Sequence, residues 1–161
     1  MKQTHNLDAE TKEQVIILLN TIMETELAGV VRYTHYSLMI YGYNRIPIVD
    51  WMKEQATESI THAQRAGELV TLLGGHPSLK IGTLLETSQH NIGDILKESL
   101  KHEQSSLDMY YRLLELSSNC KSVLLEEYAR ELITEEELHL DEVNKMLRSP
   151  GDIKEFKPDS A

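Results

Sequence analysis

Along most of the chain, apolar residues recur every three to four positions rather than every two, the spacing of one helix face. Four helices are expected, over about 8–41, 47–73, 92–116 and 122–147, followed by a polar tail over 148–161. Asn6 or Asp8 can cap the first, and Gly42-Tyr43-Asn44 breaks it. Pro47 suits the first turn of the second, which stops at Gly74-Gly75 with Pro77 just beyond. Asn91 can cap the third, Ser117-Ser118-Asn119 reads as a short turn, and Ser149-Pro150-Gly151 stops the fourth. The turns after the first and third helices are short, so each pair should form an antiparallel hairpin. The connection from Gly74 to His90 is long enough, at roughly 3.3 Å per residue, to run the length of such a helix. The expected fold is all-α: a four-helix bundle with one long crossover between its second and third helices.

Polar residues interrupt these apolar seams. The first helix reads Met23, Glu26, Val30, Tyr33; the second Met52, Gln55, Ser59, His62, Ala66. The third reads Leu100, Glu103, Leu107, Tyr110, and the fourth Leu132, Glu136, His139, Val143. A buried carboxylate without a partner costs several kcal/mol, so something must compensate. A divalent metal does so, and a set of carboxylate oxygens and imidazole nitrogens suits iron, with manganese or zinc as alternatives.

The spacing repeats. Glu26 to His62 is 36 positions, and Glu103 to His139 is again 36; Tyr33 and Tyr110 each lie seven beyond their glutamate. The second hairpin thus reads as a copy of the first, and packing the copies about a two-fold axis brings the polar groups to one level. That is the scheme of carboxylate-bridged bundles, one Glu from each of two helices and a Glu-x-x-His from each of the others. The fourth helix supplies its motif as Glu136-Glu137-Leu138-His139, ligands on one face. The second helix does not, because Ser59 stands where the repeat calls for a glutamate. Glu58 is next door but about 100° round the helix; it either swings in or remains an outer carboxylate. A dinuclear site would then have three buried carboxylates instead of four, and could be partly occupied.

Composition narrows the picture further. The 161 residues suffice for one domain, and four prolines and eight glycines leave long helices uninterrupted. A net charge of −10 provides no basic face for nucleic acid. The lone Cys120 cannot form an intramolecular disulfide and fits a reducing compartment. The N-terminal stretch has no apolar signal core and the apolar runs are short, so no membrane association and a cytoplasmic location are expected.

Over roughly residues 13–147 the sequence resembles the bacterioferritins of the ferritin-like superfamily. The matching positions are Leu19-Asn20, Glu26-Leu27, Tyr33, His62-Ala63, Gly75, Pro77, Asn91-Ile92-Gly93, Glu103 and Glu136-Glu137-Leu138-His139. The resemblance implies that Glu26 and His62 hold one iron, that Glu103 and His139 hold the other, and that Glu136 bridges them. It matches Tyr33 to the tyrosine beside the family's ferroxidase centre. It implies Fe(II) oxidation by O2 or peroxide, with iron storage or detoxification, in a homo-oligomer of two or more chains. There are three departures. Ser59 replaces the second bridging glutamate. Ile60 replaces the methionine that ligates haem, so no haem is expected. The short fifth helix of the family's shell has no counterpart in the tail. Two other functions stay open. One is rubrerythrin-type peroxide reduction, although a single cysteine excludes that family's usual four-cysteine iron domain from this chain. The other is a non-catalytic ferritin-like scaffold that binds a partner or a single ion.

Overall fold

The computed structural model describes residues 7–84, 88 and 90–157. It contains four α-helices: α1 (Ala9–Met39), α2 (Arg45–Leu72), α3 (Ile92–Asn119) and α4 (Val123–Met146). Asp8 caps α1 by accepting from Thr11 N at 2.9 Å, and Asn91 caps α3 by accepting from the Gly93 and Asp94 amides. The other cap candidate, Asn6, lies outside the described residues.

The helix ends differ from expectation in two places. α2 begins at Arg45, two residues before the expected start, and Pro47 lies in its first turn as expected. The serines expected to form the turn after α3 are helical, and the turn falls at Cys120-Lys121. Ser117 is buried and bonds back to Leu113 O at 2.7 Å, so its hydroxyl is satisfied within the helix. α3 closes with Ser122 N donating to Ser117 O, around Lys121 at φ 56°. α2 closes the same way, Gly75 N on Val70 O around Gly74 at φ 77°. Glycine marks that left-handed position in α2, whereas a lysine hides it after α3.

α1 packs along α2, α3 along α4, and the hairpins meet most closely through α1 and α3. Between α2 and α4 only side chains cross, as in the Arg65–Glu131 pair at 2.6 Å. The described parts of the crossover lie along α1. Asn20 holds His76 O and Ser78 N, Gly82 N donates to Glu24 O, Arg32 reaches Thr83 O, and His90 meets Met39 O. Beyond α4, residues 148–157 form a strap without helix, clamped where the Asn144 amide brackets the Phe156 backbone at 2.9 and 3.1 Å. Residues 158–161 of the expected tail lie outside the described residues.

Two apolar clusters fill the bundle. The larger holds Leu19, Ile22, Val70, Leu113, Leu125 and Leu132; the smaller holds Tyr36, Met39, Ile40, Met52 and Ile95. Along α1, α2 and α3 the residues Glu26, Ser59, His62 and Glu103 fall between them, and on α4 Glu136 and His139 follow the buried residues of the larger cluster. α1 contains a stretch of mean hydropathy 1.4, long and apolar enough by composition to cross a membrane. In this fold it is a bundle core helix that carries the buried Glu26 near its middle.

Candidate metal centre

Five side chains converge in the layer between the apolar clusters. Glu26, His62 and Glu136 form one group whose potential ligand atoms lie within 4.8 Å of one another; Glu103, Glu136 and His139 form a second. Glu136 belongs to both. The three glutamates are 2–6% exposed and come from α1, α3 and α4. His62 Nδ1 faces Glu26 Oε1 at 3.6 Å and Glu136 Oε1 at 3.4 Å. Glu136 Oε2 is buried and has no hydrogen-bond partner.

The layer is built as two related halves whose members lie 77 positions apart in the chain. Tyr33 of α1 donates to Glu103 of α3, and Tyr110 of α3 donates to Glu26 of α1 at 2.7 Å. Each tyrosine meets a further aromatic edge-on, Tyr33 with Trp51 at 6.0 Å and Tyr110 with Tyr128 at 6.2 Å. His62 Nε2 pairs with Glu135 at 2.8 Å, and His139 Nε2 pairs with Glu58 at 3.0 Å. A carboxylate on the far ring nitrogen fixes the tautomer and orientation of a ligating imidazole.

This places Glu58. It does not join either cluster containing Glu136. It sits with Glu135 and His62 on the solvent side, its side chain 37% exposed, as the counterpart of Glu135. Reading the chain by seams missed Glu135, which lies one position before Glu136; the repeat that relates it to Glu58 was the signal. Ser59 is buried at the position corresponding to Glu136, close to the backbone of Gly29 in α1, which His102 of α3 also approaches.

Without metal, protons hold the charges. Burial alone would lower His62, but Glu136 and Glu26 outweigh it and carry the imidazole up to about 11. Burial likewise opposes His139, which Glu58 raises to about 9. Burial, then the facing Glu136, push Glu103 up to about 8. Burial raises Glu26 as well. Three buried carboxylates, one of them with the orphaned Glu136 Oε2, and two imidazoles form a donor set for a divalent ion with oxygen and nitrogen preferences. Iron, manganese and zinc all fit, and a shared Glu136 suits two ions side by side.

Comparison with known proteins identifies the family. Residues 16–150 match the ferritin family model, described as a ferritin-like domain. The chain is 28% identical over 130 residues to a bacterioferritin of Brucella melitensis, covering 80% of this chain and 79% of that protein. It is 24% identical over 148 residues to that of Desulfovibrio desulfuricans, covering 89% and 81%. The D. desulfuricans bacterioferritin structure, whose diiron site has been seen in different catalytic states, superposes with a TM-score of 0.75 at 25% identity, over 86% of this chain and 80% of that one. A ferritin-like, diiron-carboxylate protein of Bacillus anthracis shares the fold at TM-score 0.83 and 18% identity, over 88% and 100%. With the family match spanning most of its length, the chain belongs to the ferritin family of ferritin-like domains.

Proposed function

We propose that this protein binds iron at the four-helix centre and oxidises Fe(II) as a bacterioferritin-like ferroxidase, serving iron storage or detoxification. The observation that carries the reading is the membership of Glu136 in both ligand clusters, the geometry of a carboxylate that bridges two ions. In this reading Glu26 and His62 hold one ion and Glu103 and His139 the other. Two ferrous ions held side by side supply the electrons that reduce O2 or peroxide.

The chain's own residues set the conditions. Glu135 and Glu58 orient the histidines from behind. Tyr33 and Tyr110 orient Glu103 and Glu26 by donating hydrogen bonds to them, and burial beside those carboxylates keeps both phenols protonated. The apolar clusters on either side exclude bulk water, which strengthens every charge interaction in the layer. A homo-oligomer belongs to the same reading: Val31 and Leu38 lie seven apart on α1 and are 43% and 65% exposed. Iron is the expected native metal, and nothing in the donor set calls for haem.

Anaerobic titration with Fe(II) followed by oxygen exposure tests this. Glu136→Ala should abolish binding of both ions, since both clusters lose their common member. Unchanged iron stoichiometry in that variant would reject the assignment. The scaffold reading is favoured by one observation, Ser59 in place of a carboxylate, and it predicts at most one ion per chain and no oxidation.

A further inference from the structure

Most polar members of the centre have a counterpart in the other hairpin; Ser59, opposite Glu136, does not match its own. Its surroundings differ in a concerted way. α1 offers Gly29 there, one turn beyond Glu26, and a Cβ on residue 29 would lie 2.9 Å from Ser59 Oγ and 3.1 Å from His102 Nε2. Both groups therefore lean on bare backbone, and two hydrogen-bonding groups converge in the region where the other hairpin places a carboxylate. The flanking Thr57 and Thr61 turn their hydroxyls back to their own helix, at 3.0 and 3.1 Å. Ser59 makes no such bond among the described residues.

On its outer side His102 lines a 360 Å³ cleft between α1, α3 and the crossover. Among the described residues the cleft wall carries Arg32, Lys101 and the hydroxyls of Thr25, Thr83 and Ser105, and no carboxylate. In a chain with 26 acidic and 16 basic residues, that is a local reversal of sign. Charge at the centre points the same way. Two divalent ions bring four positive charges, while Glu26, Glu103 and Glu136 bring three negative ones. Glu58 and Glu135 are 37% and 34% exposed and bind the far ring nitrogens, so solvent screens much of their effect on the ions.

We infer that the corner at Ser59 receives a small oxyanion, of carboxylate or phosphate chemistry, which takes the bridging place opposite Glu136. Ser59 Oγ–H and His102 Nε2–H donate to it, and the Arg32–Lys101 cleft is its route in. His102 does not itself replace the missing glutamate, because it joins neither ligand cluster. The inference rests on the metal reading above, and its test separates the two.

Metal-free protein is titrated with Co(II) by calorimetry and visible absorption, in a buffer free of oxyanions and again with millimolar formate or millimolar phosphate. The expected result is one tight ion per chain without oxyanion, and a second whose affinity rises about tenfold or more with one of them, a charge-assisted effect. A response to formate alone identifies a carboxylate, and to phosphate alone a phosphate. Ser59→Glu should bind two ions with no response to either anion, and His102→Gln should weaken the response severalfold while the first ion still binds. Equal binding in all buffers means that water completes the site, and overturns the inference while the metal reading stands. An equal anion response in Ser59→Glu places the anion elsewhere and also overturns it. No Co(II) binding under any condition overturns the metal reading itself.

Discussion

Lowering the pH by one unit should loosen metal binding far more than ordinary histidines would. In the metal-free centre His62 is raised to about 11, His139 to about 9 and Glu103 to about 8. At pH 7 all three carry protons, and all three must release them before they can ligate. Metal binding therefore displaces about three protons, and the overall binding constant should rise by about three decades, or about 4 kcal/mol, per pH unit between 6 and 7.5. The sign follows from release: affinity climbs with pH, and the slope falls to about two above pH 8, where Glu103 is already ionised. Imidazoles at their ordinary value, near 6.5, would give a slope below two at pH 6 and close to zero at 7.5. Calorimetry with Co(II) across this range, in two buffers of different ionisation enthalpy, counts the protons directly. Glu103→Gln should reduce the count by one. A slope of one or less in the unmodified protein would refute the reasoning, because the proton-held centre would not exist.

Three further outcomes are expected. Metal-free protein should lose thermal stability from pH 6 to pH 9. The stabilisation from His62 and His139 is complete below about 6.5 and is lost as pH rises toward their folded values, and raised Glu103 opposes folding from about 4.5 upward; a melting temperature that stays flat over that range contradicts this. Ser59→Glu should lower the melting temperature without metal, by crowding a fourth carboxylate into the layer, and restore it with metal through linkage; equal melting curves with and without metal would show that residue 59 does not face the ions. Haem added to purified protein should give no stoichiometric six-coordinate bis-methionine spectrum, since Ile60 is 41% exposed on α2 and has no ligating atom.

The layer was legible in the sequence because helical periodicity states which positions will be buried, and Glu26, His62, Glu103, Glu136 and His139 break that pattern. Their convergence followed from the repeat. The outer carboxylates were harder. Glu58 is a neighbour of Ser59 in sequence, but a rotation of about 100° per residue sends it to the opposite side of the histidine layer. Glu135 carries no seam signal of its own, and only its 77-position match to Glu58 marks it. The turn after α3 was misplaced because serine and asparagine favour turns, yet Ser117 can satisfy itself inside a helix and the left-handed residue is Lys121. Gly29 and His102 carry no periodic signal at all. A glycine within a helix marks a close approach only once the partner is known, and its partners lie on two other helices.

The contrast between the tight hairpins and the thin seam from α2 to α4 also orders the events by which the chain reaches its native state. α1 with α2, and α3 with α4, are joined by short turns and make mostly local contacts, so each hairpin can assemble quickly by itself. Their docking is the event that gathers Glu26, Glu103 and Glu136, together with Glu58 and Glu135, around two histidines. Repulsion among these charges is therefore met late, after most of the helical structure exists. The search for the native state is slowed at its last step, where protons in acid or a divalent cation near neutrality can stand between the approaching halves.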